Sequence, residues 1–450
     1  MEKQSTVLSE IRNNNIEYIR MELSDQYGIA RSKTIPARHF KRKTAIGQNF
    51  SQLSYAVFDP HGEIVMGTGY LEEINCRDAT CFPDLDTFAI LPWVKNTARV
   101  ILNPTYKGEA VIGSPREVCK RQYARLTDMG YSLMAAHEHE FYLETLDTKK
   151  PAFETYHFQS TIRSSFNLPF TQQIERDLFV AGVDIESIEV EYCPGQMEIS
   201  YSPTFGIRAA DNAHTYRTAI KEIARQHNYR ATFMTKPDPK ALVASGAHLN
   251  HSLWDADGKV SLFYDADAQY GLSKVGQHWM AGILEHAPAI TLLSAPTINC
   301  LSRYQLNSWS PVNNTWGLDN RSCLLRAKVS DQNGTYVENR LPGAGGSPYL
   351  SLTGMIIAGM DGIERKLPLP EPVNGSAYDK KNLPSTGVKG IPNTMKGALD
   401  EFLKDKVIIE ALGSEFIQVF VALKKHEMKC QEDAKAKGDV DWEKNYYSYL

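Results

Sequence analysis

The sequence lacks the features of secreted, membrane and nucleic-acid-binding proteins. No apolar run approaches the roughly 18 residues that a membrane span needs, which predicts a soluble protein. The polar start MEKQSTVLSEIRNNN has no apolar core of the kind that a signal peptide needs. The formal net charge is -4 with no long block of either sign, which argues against nucleic acid as a partner.

Disulfide and zinc-finger spacings are missing as well. The seven cysteines are odd in number and scattered, at positions 76, 81, 119, 193, 300, 323 and 430. Because no two of them form a CxxC pair, the pattern predicts reduced thiols in a cytoplasmic protein. It predicts neither a disulfide framework nor a zinc site.

What is present is a chain of 450 residues, enough for one large and one smaller domain. Short alternating apolar runs predict a strand-rich N-terminal domain over residues 1–105, including strands within 54–70. Helices that alternate with strands predict a larger domain over 106–450, with a helix from Pro115. Residues 367–396 are predicted to be loop, and the last 50 residues two helices. The predicted fold class is α+β.

The stretch LMAAHEHEFYLE, residues 133–144, places four titratable side chains in an apolar strand pattern. Residues two apart on a strand share a face, so Glu138 and Glu140 project one way and His137 and His139 the other. Two buried acids on one face need a counter-charge, either Lys or Arg partners or a divalent cation. A half-solvated edge strand is the competing interpretation.

Two further segments contain candidate ligands. Glu191 and Glu198 flank a Pro-Gly turn and could face each other across the bend, although a surface hairpin with charged rungs would look the same. His248 and Asn250 share a face of an apolar alternating run. A lone strand histidine is more often a satisfied core residue than a ligand.

Arginines accompany the last acidic candidate. Glu338 and Arg340 share one face of a strand that ends at Pro342. Guanidinium groups among apolar residues suggest an anion site, with a surface salt-bridge network as the alternative. The upstream arginines are Arg303, Arg321 and Arg326. Taken together, a carboxylate-rich set with a single imidazole suits Mg²⁺ or Mn²⁺ better than zinc.

An ordered set of motifs over nearly the whole chain resembles the glutamine synthetase superfamily. The motifs are RSKTIP (31–36), FPDLDTFAILPWVKNTARVI (82–101), HEHEFYLE (137–144), EYCPGQMEIS (191–200), SGAHLNHSLW (245–254), NRSCLLR (320–326) and VENRLPGAGGSPYLSL (337–352). Within the superfamily, ARSKTIPARHF and PGQMEISYSPTFGIRAADNA are most similar to lengsin and to the γ-glutamyl-amine ligases.

The resemblance implies an N-terminal β-grasp domain and a catalytic domain with a curved antiparallel sheet flanked by helices. It implies a homo-oligomer of two stacked rings, a decamer or dodecamer, with each site closed by the neighbouring N-terminal domain. It also implies two Mg²⁺ or Mn²⁺ ions per site and ATP as co-substrate. One ion would be held by Glu140, Glu191 and Glu198, and the other by Glu138, His248 and Glu338.

The resemblance also implies substrate roles. Arg303, Gly246, Asn250 and Arg340 match the glutamate side of the site; Arg321, Arg326, Ser252 and Tyr336 match its nucleotide side. Arg303, Arg321, Asp78 and Trp309 match positions of catalytic importance. Asp78 matches a member of the ammonium site, and Asp59 is a looser match to another.

Departures from the family pattern concern the acceptor and the phosphates. Trp309 replaces an acidic flap residue that accepts a proton from ammonium, and an indole cannot act as a base. Tyr336 replaces an arginine, Asn250 replaces a histidine, and GSPYL (346–350) replaces ANPYL. The first hypothesis is therefore an ATP-dependent ligase that joins the γ-carboxylate of glutamate to an amine, with ammonia a poor acceptor. The alternatives are a lengsin-like structural oligomer with little or no catalysis and an ordinary glutamine synthetase.

Overall fold

The computed structural model describes residues 2–153, 158–241, 243–448 and 450. The N-terminal part forms a six-stranded sheet in the order β2-β1-β5-β4-β3, with β6 paired to β5. β1 and β2 form an antiparallel hairpin, and β1 runs parallel to β5. The strands are β1 Tyr18–Ser24, β2 Ala30–Pro36, β3 Gln48–Ser51, β4 Asp78–Ile90, β5 Thr97–Tyr106 and β6 Glu109–Ala110, with helices α1 Glu2–Asn13, α2 Phe40–Ile46 and α3 Leu53–Ala56.

The prediction of strands within residues 54–70 is wrong. The chain there forms the short helix α3 and then a tight turn, with a single bridge between Phe58 and Ile64. The apolar side chains of this segment alternate, but Pro60 and three glycines with positive φ, Gly62, Gly67 and Gly69, interrupt any regular ladder. The β-grasp assignment of the N-terminal part stays a prediction.

The second sheet has nine strands and curls around the candidate site. Its order is β13-β14-β15-β12-β7-β9-β8, with β10 and β11 paired to β7. All of these pairs are antiparallel except β13 with β14. The strands are β7 Tyr131–Thr145, β8 Ile185–Val190, β9 Gln196–Tyr201, β10 Thr204–Phe205, β11 Tyr229–Thr232, β12 Ala247–Asp255, β13 Trp316–Leu318, β14 Leu325–Lys328 and β15 Tyr336–Asn339.

Helices cover one face of this sheet and form much of the core. Helices α8 and α10 cross where Gly282 meets Gly362, and an added Cβ on either would lie 2.1 Å from the backbone of the other helix. Among the helices of the described residues, none is both long and apolar enough to cross a bilayer. The helices are α4 Pro115–Asp128, α5 Thr161–Ser165, α6 Leu168–Val180, α7 Arg208–Gln226, α8 Lys274–Ser294, α9 Ile298–Leu301, α10 Pro348–Glu364, α11 Met395–Lys404, α12 Lys406–Leu412 and α13 Ser414–Lys437.

The C-terminal segment holds three helices, α11 to α13, where two were predicted. Asp405 ends α11 and caps α12, since its carboxylate accepts a hydrogen bond from the Ile408 amide. Gly413, with a φ of 82°, then separates α12 from α13. The sequence pattern is continuously amphipathic here, so the interruptions are set by the capping residues.

Candidate active site

The central strand β7 presents its two acids and its two histidines on opposite faces. His137 and His139 are each 1 % exposed, and His137 Nε2 lies 2.9 Å from the Ser351 hydroxyl of α10. Burial lowers the pKa of His137 to about 3, so the ring is neutral. The histidines therefore pack against the helices, while Glu138 and Glu140 face the other side of the sheet.

Glu138, His248 and Glu338 converge on neighbouring strands. Register pairs His248 with Glu138, and Glu338 lies on β15, the next strand. His248 Nδ1 is 3.8 Å from Glu138 Oε2 and 3.3 Å from Glu338 Oε1. Ligand atoms of the three residues all lie within 4.8 Å of one another. Such a carboxylate–imidazole set has the donor chemistry of a Mg²⁺ or Mn²⁺ site.

A second group of acids lies beside the first. Glu189, Glu191 and Glu198 have carboxylate oxygens within 4.8 Å of one another. Glu189 on β8 pairs with Glu198 from one side of β9, whereas the expected ligand Glu140 on β7 lies on the other side. Glu140 pairs with Glu198 in the strand register, and its carboxylate accepts a hydrogen bond of 2.7 Å from Gln196 Nε2.

Crowding makes these acids hard to ionise. Burial and the charge of Glu191 raise the pKa of Glu140 well above its usual value. Burial and the neighbouring Glu138 do the same to the pKa of Glu198. Burial, together with Glu189 and Glu138, raises the pKa of Glu191 to about 7. A divalent cation between these carboxylates would supply the missing counter-charge.

Glu338 behaves differently because two arginines neutralise it. Arg326 Nη1 donates to Glu338 Oε2 at 2.8 Å, and Arg340 donates to Oε1. Burial opposes ionisation, but Arg340 and His248 hold the pKa of Glu338 below its usual value. Arg326 also donates to a single oxygen of Asp319, Oδ1, from Nε at 2.8 Å and from Nη2 at 2.6 Å.

Two buried guanidinium groups retain free donors. Arg303 is 2 % exposed, and its Nη1 donates to the carbonyls of Arg340 and Leu341 at 2.9 and 3.1 Å. The Nε atoms of Arg303 and Arg340 are buried without a hydrogen-bond partner. Unpaired buried donors are unfavourable, so a carboxylate or phosphate ligand fits this position.

Gly246 lies among these groups. An added Cβ would be 2.8 Å from His248 Nε2, 3.0 Å from Arg303 Nη2 and 3.1 Å from Glu140 Oε1. On β12, the Asn250 amide donates to Glu138 Oε2 at 3.2 Å. The backbone at Gly246 thus lies between the acid groups and the arginines.

The residues expected on the nucleotide side of the site are not gathered in one cluster. Tyr336 is half-buried on the face of β15 that holds Glu338. Ser252 is buried on β12 and accepts a hydrogen bond of 2.8 Å from Trp254 Nε1. Arg321 is exposed, at the rim of a cavity of about 590 Å³.

Trp309 lines the same cavity with its indole 57 % exposed, opposite Tyr378 and Arg321. Its backbone has a φ of 59°, unusual for a bulky residue, and its carbonyl accepts a hydrogen bond of 3.1 Å from Arg340 Nη2. This hydrogen bond connects the loop at Trp309 to Arg340, a candidate substrate-binding residue.

Asp78 and Asp59 lie in the N-terminal part of the chain. Asp78 is exposed at the first position of β4 and pairs with Ser51. Asp59 is buried and faces His61 and His426 of its own chain. Within the described residues, neither has a hydrogen bond or ion pair to the candidate ligands.

Sequence reasoning missed three residues of the site. Glu189 precedes Glu191 by two positions, and strand alternation could have placed both on one face. Gln196 donates to both Glu140 and Ser245, at 2.7 and 3.1 Å, and so fixes the Glu140 carboxylate. Neither Gln196 nor Ser245 has a sequence signal beyond its position next to a ligand strand.

Comparison with known proteins assigns the family. Residues 112–443 match the family model for the glutamine synthetase catalytic domain. The chain belongs to the glutamine synthetase family. It is 35% identical to lengsin of Rattus norvegicus over 442 residues, covering 95% of this chain and 75% of lengsin. It is 31% identical to the glutamine synthetase of Halobacterium salinarum over 458 residues, covering 99% and 96%.

A solved structure described as a novel glutamine synthase homolog has a TM-score of 0.83 and 28% identity, covering 96% of this chain and 99% of that one. The resemblance inferred from the sequence motifs, including its closeness to lengsin, is therefore confirmed. Members of the glutamine synthetase family generally use ATP and divalent metal ions and are commonly oligomeric. The curled, mixed α/β architecture agrees with the family fold.

Proposed function

We propose that this chain is an ATP-dependent ligase that joins the γ-carboxylate of glutamate to an amine, with ammonia a poor acceptor. The main support is the pairing of a crowded carboxylate cluster with buried arginines that keep free donors. Glu140, Glu191 and Glu198 have raised pKa values, whereas Arg303 and Arg340 each have an unpartnered Nε. The first set attracts cations and the second attracts anions, as a phosphoryl-transfer site requires.

Each of the two acid groups would hold one Mg²⁺ or Mn²⁺ ion. The ligands of one ion would be Glu138, His248 and Glu338. Those of the other would be Glu191 and Glu198, together with Glu140 or Glu189. When bound, they supply positive charge that the phosphate oxygens need. Glu338 already contacts Arg326. The same carboxylate would therefore bind a metal ion and also contact an arginine that neutralises phosphate charge.

Substrate positioning would follow from the arginines. Arg303 and Arg340 would bind the glutamate carboxylates beside Gly246 and Asn250, and Arg321 and Arg326 would neutralise phosphate charge. ATP would transfer its γ-phosphoryl group to the glutamate γ-carboxylate, and the amine would then displace phosphate from the acyl phosphate. Tyr336 and Ser252 would line the nucleotide side.

The acceptor is proposed to be an amine larger than ammonia. Trp309 has no acidic group, and its indole lines a cavity of about 590 Å³ together with Tyr378 and Leu318. An aromatic wall can stack on an alkyl or aromatic amine, and cation–π attraction would hold its charge. Asp78 of a neighbouring subunit would accept the proton.

This role of Asp78 requires a homo-oligomer, for which we propose two stacked rings in the cytoplasm. We further propose an N-terminal β-grasp domain over residues 1–105 and a catalytic domain over 106–450. The first sheet extends slightly beyond this boundary, since β6 at Glu109–Ala110 pairs with β5.

The test is to incubate the purified protein with ATP, Mg²⁺, glutamate and a panel of primary amines, and to follow phosphate release and γ-glutamyl products by mass spectrometry. Amines should give product and ammonium much less. Glu198→Gln should abolish turnover, whereas Glu186→Gln, an exposed acid on the adjacent strand, should not. Metal binding without phosphate release for any acceptor would refute the ligase proposal.

A second candidate is a lengsin-like structural oligomer. It is favoured by the identity to lengsin and by Glu338, whose charge two arginines already neutralise without a metal. In that case the oligomer would form normally but would bind ATP weakly or not at all. Micromolar ATP affinity in a calorimetric titration would count against it. Turnover with ammonium as the sole acceptor would instead favour an ordinary glutamine synthetase.

A further inference from the structure

A second group of potential ligands lies outside the candidate active site, between the loop after α3 and helix α13. His426 and Cys430 are four residues apart and therefore share one face of α13. Asp59 approaches this face from the N-terminal part of the chain. Asp59, His426 and Cys430 have ligand atoms within 4.8 Å of one another.

The loop holds the Asp59 carboxylate in a fixed orientation. Its Oδ1 accepts hydrogen bonds from the backbone amides of His61 and Glu63, at 2.9 and 2.8 Å. The other oxygen, Oδ2, faces His426 Nε2 at 3.4 Å and His61 Nδ1 at 3.6 Å. Only 5 % of the Asp59 side chain is exposed, so its negative charge is directed at the helix.

The spacing of these three side chains is compatible with tetrahedral coordination of a metal ion. His426 Nε2 is 3.4 Å from Asp59 Oδ2, longer than the roughly 2.7–2.9 Å of a charge-assisted hydrogen bond. Zinc–ligand lengths of about 2.0–2.3 Å give tetrahedral edges of about 3.4 Å between N and O and about 3.6 Å between N and S. The observed distance from His426 Nε2 to Cys430 Sγ is 3.3 Å.

The neighbouring groups also favour a cation. His61 Nε2 is buried without a hydrogen-bond partner, and His61 Nδ1 lies 3.6 Å from Asp59 Oδ2, beside the cluster. Cys430 would bind the ion as a thiolate and would release its proton on binding.

We propose that Asp59, His426 and Cys430 form a binding site for a thiophilic divalent cation of the Zn²⁺ type. His61 is the side chain placed to complete it as a fourth ligand. The ion would link the N-terminal loop to α13. Sequence spacing predicted no zinc site because these ligands come from opposite ends of the chain. None of them belongs to the two acid groups proposed to hold the ions of the ligase site.

The experiment is a Co²⁺ titration of the full-length protein in excess Mg²⁺, which occupies sites made of carboxylates. We expect a thiolate-to-cobalt charge-transfer absorption at one equivalent per chain, displaced by Zn²⁺. Cys430→Ser should abolish it. Cys193→Ser, beside the carboxylate cluster, and Cys76→Ser, the other half-buried cysteine, should leave it unchanged.

A second measurement does not depend on how the cysteine variant folds. Asp59→Asn preserves the shape of the loop, and it should weaken Zn²⁺ binding at least about tenfold in a competition titration with a chromogenic chelator. Absence of the charge-transfer band in the wild-type protein would overturn the proposal. So would a band of equal intensity in Cys430→Ser, or unchanged Zn²⁺ affinity in Asp59→Asn.

Discussion

Replacing Glu191 with glutamine should stabilise the metal-free protein at alkaline pH and weaken its response to Mn²⁺. Burial and neighbouring acids raise the pKa of Glu191 from 4.5 to about 7. Such an acid favours folding below pH 4.5, and this contribution is lost as the pH rises through 7. Glutamine stays neutral and keeps the acceptor for the Tyr192 amide, now 2.9 Å from Glu191 Oε2.

The size of the effect follows from the shift. A change of about 2.5 pKa units corresponds to about 3 kcal/mol at pH 8, and to less than about 1 kcal/mol at pH 5. Proton sharing with Glu198 and Glu140 reduces the measured value, so we expect Glu191→Gln to gain about 1–3 kcal/mol at pH 8 in a chelator.

Mn²⁺ should narrow this difference in stability, because it should stabilise the wild type more than the variant. At a hundredfold excess over its Kd, Mn²⁺ adds about 2.7 kcal/mol to the wild type, and the variant should lose most of that gain. Urea denaturation at one protein concentration measures the free energy of unfolding under four conditions, which are pH 5 and pH 8, each with chelator and with Mn²⁺. Glu186→Gln, an exposed acid on β8, is the control. A variant less stable than wild type in chelator at pH 8, or an equal Mn²⁺ response, would refute the reasoning.

Three further predictions concern single positions. Gly246→Ala should raise the KM for glutamate at least about tenfold, with little change in the free energy of unfolding in urea. The reason is that the methyl group would lie 2.8–3.1 Å from three site side chains. Unchanged kinetics would contradict this prediction. Trp309→Glu should shift the ratio of kcat/KM from larger amines toward ammonium, since it restores an acid at the flap; an unchanged ratio would remove Trp309 from acceptor selection. His286→Gln should lose at least about 1 kcal/mol at pH 6 and less at pH 9. Burial opposes the charge, but Asp405 and Asp361 raise the pKa of His286, so its contribution is lost as pH rises; equal losses at both pH values would contradict this.

The face of β7 could be predicted from the sequence because strand alternation is local. The two-residue period alone separates Glu138 and Glu140 from His137 and His139, and the structure has the same division. The start of α4 at Pro115 was likewise fixed by a local signal.

The neutralisation of Glu338 could not be predicted because it depends on cross-strand register. Arg326 faces Glu338 only through the β14–β15 pairing, and periodicity does not specify which residues of two strands are opposite. For Glu189, the two-residue period indicates the face that it shares with Glu191, but its position opposite Glu198 depends on register. Tertiary packing of the loop after α3 brings Asp59 to α13, and local sequence does not predict this contact either.

The energetics of the acid cluster favour a catalytic role over a purely structural one. A scaffold needs only stability, and three carboxylates with raised pKa values reduce it, by about 1–3 kcal/mol at pH 8 for Glu191 alone. Isosteric glutamines would keep the strand geometry without that repulsion. A bound cation would remove this repulsion, and under the proposed function the cation and the free donors of Arg303 and Arg340 would together supply positive charge to a phosphorylated substrate. If the glutamine variants at these positions keep full Mn²⁺ binding, this argument for catalysis fails.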